Sequence, residues 1–151
     1  QSWVMFWKKH RLGYQLELAA SHGYHGKVIN RCEELIDRCD VLIDHKPSPS
    51  LLHGDLWSGN LSFDIAGVPV VYDPAVYYGD AEADLAMTEL FGGFGTDFYH
   101  AYNDVSPIDS GYRTRKKLYN LYHILNHMNL FGGSYQQQSL QMTEQLLSEL
   151  K

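Results

Sequence analysis

The chain has 151 residues, which is enough for one domain with a hydrophobic core and too few for two domains of typical size. Hydrophobic residues make up 44% and charged residues 20%, a globular composition that excludes an intrinsically disordered chain. The formal net charge of −6 argues against nucleic acid as an electrostatic partner. Because no apolar run is long enough to cross a bilayer, no membrane association is expected either.

The two cysteines, Cys32 and Cys39, lie in a segment that is predicted to be helical. A rise of about 1.5 Å per residue separates their backbones by roughly 10 Å, which is too far for a disulfide. We therefore expect buried free thiols in a reducing compartment. Since no signal peptide is recognisable, the expected location is cytoplasmic.

The first third of the chain is predicted to be helical. Large apolar residues between positions 2 and 20 predict one or two short helices, interrupted at Gly13. Residues 27 to 44 carry apolar side chains at the three–four spacing of a helix with one buried face. The two prolines of HKPSPS end this helix, and residues 51 and 52 form a very short predicted strand at the start of LLHGDLWSGN.

A β-hairpin is predicted between positions 60 and 73. The segment LSF alternates in polarity, IAG turns the chain, and VPVVY returns as a β-rich strand. The midpoint between Asn60 and Asp73 falls in the predicted turn, so antiparallel pairing would bring these two residues side by side at the open end. Asp55 lies in the loop that feeds the same end, so two carboxylates and a carboxamide should converge there.

The remainder of the chain is predicted to be mostly helical. PAVYYG, residues 74 to 79, is interpreted as a loop, and helices are expected from Asp80, at about 96 to 103, at 110 to 130 and at 135 to 150. The basic run RTRKK, residues 113 to 117, is typical of a solvated helix face. The sequence thus predicts an α+β fold that is mainly α, with one small β-hairpin, in a single domain.

The residues around the hairpin suggest a chemistry. Mg²⁺ takes few protein oxygen ligands and retains water or phosphate oxygens, which makes Asn60 and Asp73 candidate metal ligands. A further carboxylate that the metal does not need, Asp55, could orient a hydroxyl group and take its proton. Kinases divide the work of phosphoryl transfer in this way. HGDLWSGN keeps the H-x-D-x-x-x-x-N frame of their catalytic loop, and a later Asp follows the hairpin.

Four stretches, HGDLWSGN, YDPAVYYGDAEADLAM, LFGGF and LYHILNHMNLFGGSY, occur in an order that resembles the fructosamine kinase, or ketosamine-3-kinase, family. The resemblance runs from about Phe6 to the end of the chain. That family is related to the aminoglycoside phosphotransferases and has the protein-kinase-like fold. The resemblance therefore implies a kinase-like C-terminal lobe for residues 1 to 151, with the small β-hairpin carrying the metal ligands.

The resemblance also implies a reaction. Asp55 would be the catalytic base, and Asn60 and Asp73 would hold Mg²⁺ against the phosphates of ATP. The γ-phosphate would move to a sugar hydroxyl of a ketosamine, either a small molecule or an adduct on a glycated protein lysine, as in protein deglycation.

Three further residues would serve the same site. The resemblance implies that His53 and Asp84 support the catalytic loop and that Trp57 offers an aromatic face to the substrate. The residue types alone leave another interpretation of Trp57 open, as a core residue, and of Asp84, as a solvated helix residue.

The 151 residues contain no glycine-rich loop after a strand and no VAIK-like lysine, which are the features that hold ATP in the first lobe of a kinase. We therefore expect the N-terminal nucleotide-binding lobe to be absent from this chain, and the isolated chain to be weakly active or inactive. Two other functions stay open. One is a related phosphotransferase for an aminoglycoside or choline, and the other is a non-catalytic binding fragment.

Overall fold

The structure, a computed structural model, describes residues 2 to 150. Backbone contacts divide the chain into two compact units. One unit combines the segment up to Lys46 with the segment from Lys117 onward, and the other is Pro47–Lys116. Among the described residues, no helix has both the length and the apolar character that crossing a membrane would need.

Residues 2 to 150 are mainly helical, with four short strands, and the mainly α composition agrees with the predicted fold class. The helices are α1 (Trp3–Phe6), α2 (Tyr14–Ser21), α3 (Lys27–Leu42), α4 (Ala81–Thr88), α5 (Thr96–Val105), α6 (Tyr112–Phe131) and α7 (Ser134–Glu149). The strands are β1 (Ser50–Leu52), β2 (Leu61–Phe63), β3 (Pro69–Val71) and β4 (Tyr77–Gly79).

The predicted break at Gly13 is wrong, because the chain stays helical from α1 to α2. A π-helical segment, Trp7–Gly13, joins the two helices, and Gly13 keeps helical backbone angles of φ −58° and ψ −47°. A π-helical segment accommodates extra residues by widening the hydrogen-bonding pattern, so a glycine there need not end the helix.

The first unit buries the predicted apolar face of α3. The buried residues of this helix are Val28, Ile29, Cys32, Leu35, Cys39 and Leu42. Both cysteines are free thiols, as predicted. The Sγ atom of Cys32 lies 3.2 Å from the hydroxyl of Thr143 on α7. Trp7 packs its ring against Tyr119 with centroids 4.8 Å apart, which joins the π-helical segment to α6.

The second unit contains two separate two-stranded antiparallel sheets. β2 pairs with β3 as the predicted hairpin, and β1 pairs with β4, so that Leu51 lies opposite Tyr78. The interpretation of residues 74 to 79 as a loop is therefore wrong for Tyr77–Gly79. The tyrosines have high β propensity, but a strand this short is recognisable only through its partner, which lies far upstream in the chain.

The predicted register of the hairpin is wrong by one residue. Leu61 pairs with Val71, and the backbone of Asn60 accepts a hydrogen bond from Tyr72 N at 3.1 Å, so Tyr72 rather than Asp73 lies opposite Asn60. The reason is the turn. Asp64 N donates to the Val68 carbonyl at 2.9 Å, leaving a three-residue loop that ends in a glycine with φ +77°. Such loops require a left-handed residue at that position.

The expected solvated face of RTRKK is wrong for one residue. Arg113 is exposed, but the side chain of Arg115 has no exposed surface and forms ion pairs with Glu82 and Asp109. An arginine that pairs with two carboxylates can be buried, whereas the composition of the run alone favours solvent.

The buried thiols predict a dependence of stability on alkaline pH. Burial raises the pKa of Cys32 to about 11 and that of Cys39 to about 12, from an ordinary value of 9.0. The folded protein thus binds these protons more tightly than the unfolded chain. The two protonated thiols therefore contribute to the free energy of unfolding. This contribution is complete below pH 9.0 and is lost as the pH rises towards 11 to 12.

Urea denaturation below and above pH 9.0 measures this contribution, because the free energy of unfolding of the wild type should fall across that range. The double variant Cys32→Ala, Cys39→Ala is the control, since every other alkaline titration is common to both proteins. We expect a shallower loss of stability in the variant. An equal pH dependence in the two proteins would show that the thiols make no such contribution.

Candidate active site

All residues that the sequence predicts for the site belong to the second unit, Pro47–Lys116. HGDLWSGN runs from the end of β1, through a single 3₁₀ turn at Ser58–Asn60, into β2. The loop is therefore fixed at both ends by short antiparallel pairings, with β4 on one side and β3 on the other.

Asp55 and Asn60 are in direct contact. Nδ2 of Asn60 donates hydrogen bonds to the Asp55 carbonyl and to Asp55 Oδ2, both at 2.9 Å. Asn60 is only 6% exposed and Asp55 is half-buried, so water competes weakly for these bonds. The contact fixes the Asp55 carboxylate and leaves the carbonyl oxygen Oδ1 as the end of the Asn60 carboxamide that can coordinate a cation.

His53 links the loop to the segment that follows β3. Its Nε2 lies 3.0 Å from the Tyr72 carbonyl, and its Nδ1 lies 3.3 Å from the backbone N of Asp55. A carbonyl can only accept and a backbone N–H can only donate, so in these contacts Nε2 is the donor and Nδ1 the acceptor. The His53 carbonyl also accepts from Ala75 N at 2.8 Å, which ties the two segments together a second time.

Asp84, in the first turn of α4, holds the backbone at the start of the loop. Its Oδ2 accepts from His53 N at 2.6 Å and its Oδ1 accepts from Gly54 N at 2.9 Å. Burial raises the pKa of this carboxyl above its ordinary value, because a low-polarity environment penalises the charge. The hydrogen bonds from the two backbone amides offset part of that rise.

Gly54 occupies a position that other residues do not fit. Its φ is +84°, and a Cβ atom added there would lie 2.1 Å from the Ala75 carbonyl oxygen. The backbone of the post-hairpin segment thus passes directly over the position that any side chain would occupy. This explains why the loop reads H-G-D and cannot carry the arginine of the H-R-D pattern.

Asp73 lies just beyond the paired part of the hairpin and is exposed. It is the one described residue other than glycine with a positive φ, at 57°. Asp tolerates this left-handed conformation better than most residues, yet it still carries backbone strain there. The structure therefore joins Asp55, Asn60, His53 and Asp84 by hydrogen bonds and leaves Asp73 adjacent along the chain rather than paired with Asn60.

Trp57 is half-buried and fixed on two sides. Its ring packs edge-on against Phe91, with centroids 6.1 Å apart and planes at 78°, and it covers Gly59, where a Cβ would lie 2.3 Å from the indole. Ser58 Oγ donates to the Phe91 carbonyl at 3.1 Å, so the chain just after α4 also contacts the loop.

The segment LFGGF that supplies Phe91 is a part of the site that residue patterns did not predict. From the residue pattern alone, its glycines predict only the end of a helix. The one signal in the sequence is that LFGGF is among the stretches shared with the fructosamine kinase family.

A carboxylate fixed by a carboxamide in an H-x-D-x-x-x-x-N loop, followed by a second Asp after a hairpin, is the catalytic-loop pattern of kinase-type phosphotransferases. Within that class, residues 1–149 match the model of the fructosamine kinase family. The chain therefore belongs to the fructosamine kinase family, as the sequence stretches predict.

Individual relatives agree with this assignment. The chain is 53% identical over 150 residues to a Synechocystis protein named as a probable ketoamine kinase, covering 97% of this chain and 49% of that protein. It is 43% identical over 150 residues to a rice chloroplastic protein-ribulosamine 3-kinase, covering 99% of this chain and 44% of that protein. The chain thus spans about half the length of the curated relatives it matches.

Solved structures match the fold. A Thermobifida fusca protein named as a fructosamine-3-kinase superposes with a TM-score of 0.89 at 34% identity, over 98% of this chain and 52% of that one. A Haemophilus somnus protein with the same naming superposes with a TM-score of 0.83 at 34% identity, over 97% and 50%. These structures support the mainly helical fold with its short strands.

At Gly54, an added Cβ would meet the Ala75 carbonyl as well as the backbone strain of a positive φ. We therefore predict that Gly54→Ala lowers the free energy of unfolding by more than that backbone strain alone would. Gly67→Ala is a matched control, because Gly67 also has a positive φ but has no atom within 4 Å of an added Cβ. We expect Gly67→Ala to cost about 1–2 kcal/mol, the cost of a left-handed residue. Gly54→Ala should cost clearly more, since the backbone at Ala75 must move.

Chemical denaturation of the two glycine variants measures the difference. Equal losses in the free energy of unfolding would mean that the Ala75 carbonyl moves aside without cost, and would contradict the fixed geometry of the loop.

The two hydrogen bonds that Asp84 accepts from backbone amides predict the effect of Asp84→Asn. An asparagine can accept from only one of the two amides, and its NH₂ group faces the other N–H. We expect a loss of about 1–3 kcal/mol in the free energy of unfolding, the cost of an unsatisfied buried donor. Urea denaturation checks this, with the exposed Asp104→Asn as the control for loss of a charge. A variant as stable as the wild type would show that the paired acceptors are not needed.

Proposed function

We propose that this chain carries the catalytic loop of a ketosamine kinase, which transfers the γ-phosphate of ATP to a sugar hydroxyl of a fructosamine-type adduct. The observation that carries the proposal is the hydrogen-bonded pair of Asp55 and Asn60 in a chain of the fructosamine kinase family. The relatives named as ribulosamine 3-kinase and fructosamine-3-kinase favour the 3-hydroxyl as the acceptor. Phosphorylation of such adducts on proteins is the first step of deglycation.

Asp55 is proposed as the catalytic base. Its position beside Asn60 supports this role, because a carboxylate with one oxygen fixed can direct the other towards an incoming hydroxyl. The hydroxyl would donate its proton to Asp55 as its oxygen bonds to phosphorus, and ADP would leave with the electrons of the broken bond.

Asn60 and Asp73 are proposed as ligands of Mg²⁺. Their hard oxygen donors fit this ion, and Asn60 Oδ1 is the end of the carboxamide that Asp55 does not engage. The bound ion would neutralise the phosphates of ATP. With Tyr72 opposite Asn60, the approach of Asp73 depends on the positive φ of Asp73 rather than on direct cross-strand pairing. The hairpin thus remains the proposed carrier of the metal ligands in a kinase-like lobe.

The charge of the second unit supports a cationic acceptor. Pro47–Lys116 contains ten acidic and three basic residues, so most of the negative charge of the chain lies in the unit that contains the candidate site. The secondary amine of a ketosamine is protonated at neutral pH, and a negative field attracts it. Trp57, fixed by Phe91 and by the backbone at Gly59, is proposed as the apolar wall against which the sugar lies.

The remaining sequence predictions enter this proposal unchanged. The part of the relatives that this chain does not match is proposed to include an N-terminal lobe, which would supply the glycine-rich loop and lysine that hold ATP. Accordingly, this chain alone is proposed to be weakly active or inactive. The buried thiols of Cys32 and Cys39 suit a reducing compartment such as the cytoplasm. The family match does not favour an aminoglycoside or choline acceptor.

Transfer of labelled phosphate from ATP to fructoselysine in the presence of Mg²⁺ tests the proposal. We expect turnover well below the 1–100 s⁻¹ or so that is typical of kinases, because the groups that hold ATP are not in these residues. Asp55→Asn should lower that turnover by roughly 10²- to 10⁴-fold, the usual contribution of a positioned base. Asp104→Asn, an exposed acid on α5, is the matched control and should leave the rate unchanged.

Three results would contradict the proposal. Undiminished turnover by Asp55→Asn would remove Asp55 as the base, and product formed from choline or an aminoglycoside but not from fructoselysine would change the substrate class. No heat of binding for Mg²⁺-ATP in calorimetry would favour the non-catalytic binding fragment. NMR of the product locates the phosphate on the 3-hydroxyl or elsewhere.

A further inference from the structure

Arg115 is a fully buried charge in the second unit. Its Nε and Nη2 donate to the two carboxylate oxygens of Glu82 at 2.6 and 2.9 Å, and Nη2 also donates to Asp109 at 2.6 Å. The exposed fraction is 0% for the Arg115 side chain and 14% for that of Glu82, whereas Asp109 is largely exposed. This is a two-pronged arginine–carboxylate pair in which the guanidinium is fully buried and the carboxylate mostly so.

The pair acts on the helix that carries Asp84. Glu82 and Asp84 both lie in the first turn of α4. Their side chains point to different partners: Glu82 to Arg115 on α6, and Asp84 to the backbone of the catalytic loop. The guanidinium fixes the rotation of this turn, because two parallel hydrogen bonds define a direction as well as a distance.

A second contact fixes the other end of α4. Glu89, the residue that caps α4, accepts from Tyr112 Oη and from Lys116 Nζ, both at 2.6 Å. Arg115 and Lys116 lie three and four residues after Tyr112, so each is a neighbour of Tyr112 on the surface of α6. The first turns of α6 therefore bind α4 near both of its ends, through Glu82 and Glu89.

The position of the catalytic loop depends on the orientation of α4, because Asp84 lies on this helix. Asp84 must present one oxygen to His53 N and the other to Gly54 N, and these amides belong to consecutive residues. A rotation of α4 that improves one of the two bonds lengthens the other. We propose that Arg115, acting through Glu82, is a positioning residue that holds α4 in the one rotation at which Asp84 can fix the loop carrying Asp55.

The energetics point the same way. Burying an ion pair gives little net stability over a well-packed apolar pair, whereas removing one partner leaves the other charge uncompensated. A buried arginine is therefore a weak way to stabilise α4 but an effective way to orient it. The inference rests on the proposed function only in calling the loop catalytic, since the contacts themselves involve no substrate.

Amide hydrogen exchange followed by NMR tests the inference without requiring turnover. Glu82→Gln retains the shape of the side chain but loses its charge and one acceptor, so α4 should stay folded while its rotation loosens. We expect exchange at His53 and Gly54 to rise by roughly tenfold or more, the equivalent of one charge-assisted hydrogen bond. The buried Ala86 amide within α4 is the internal reference and should keep its wild-type protection.

Arg115→Lys separates charge from geometry. Lysine retains the positive charge but cannot form the two parallel bonds, so we expect the same two amides to lose protection. Lys117→Gln is the matched control, because Lys117 is another basic residue of α6 but pairs with Glu149 on α7 instead of with α4. It should leave His53 and Gly54 unchanged.

Two outcomes would overturn the inference. If Ala86 loses protection to the same extent as His53 and Gly54, the pair merely stabilises the unit. If both variants retain wild-type protection at the two amides, the loop does not depend on Arg115. Because neither result involves phosphate transfer, failure of the inference is distinguishable from failure of the proposed function.

Discussion

The candidate site depends on one interaction, the pair of hydrogen bonds that Asp84 accepts from the amides of His53 and Gly54. It positions the start of the loop, and the remaining contacts follow from there. With the loop in place, His53 reaches the Tyr72 carbonyl and Asn60 reaches Asp55. A carboxylate in the first turn of a helix thus organises a loop about thirty residues upstream, at the cost of carrying a partly desolvated charge.

Much of the fold follows from local patterns in the sequence. The buried face of α3 is visible in its three–four spacing, and the later helices begin and end within a few residues of the positions predicted. The hairpin is also visible, from the alternation in LSF and the β-rich VPVVY. These features are local because each is determined by residues that are neighbours in the chain.

The differences all arise from contacts that are distant in sequence or from fine geometry. The register depended on whether the turn held an even or an odd number of residues, which the Asp64 pairing decides. β4 exists because Ser50–Leu52 lies beside it, and Arg115 is buried because Glu82 and Asp109 meet it. The proximity of Asp55 and Asn60 could be predicted from one short loop, whereas the part played by Phe91 could not.

At Asp73, the residue that is best for stability differs from the residue that the proposed chemistry needs. A left-handed residue is most comfortable as glycine, so Asp73→Gly would relieve strain at the very position where a carboxylate is proposed to bind metal. A library of this chain selected only for thermal tolerance would be drawn towards that exchange, whereas one selected for phosphate transfer would resist it. Comparing the residue that accumulates at position 73 in the two selections therefore tests whether phosphate transfer needs the carboxylate of Asp73.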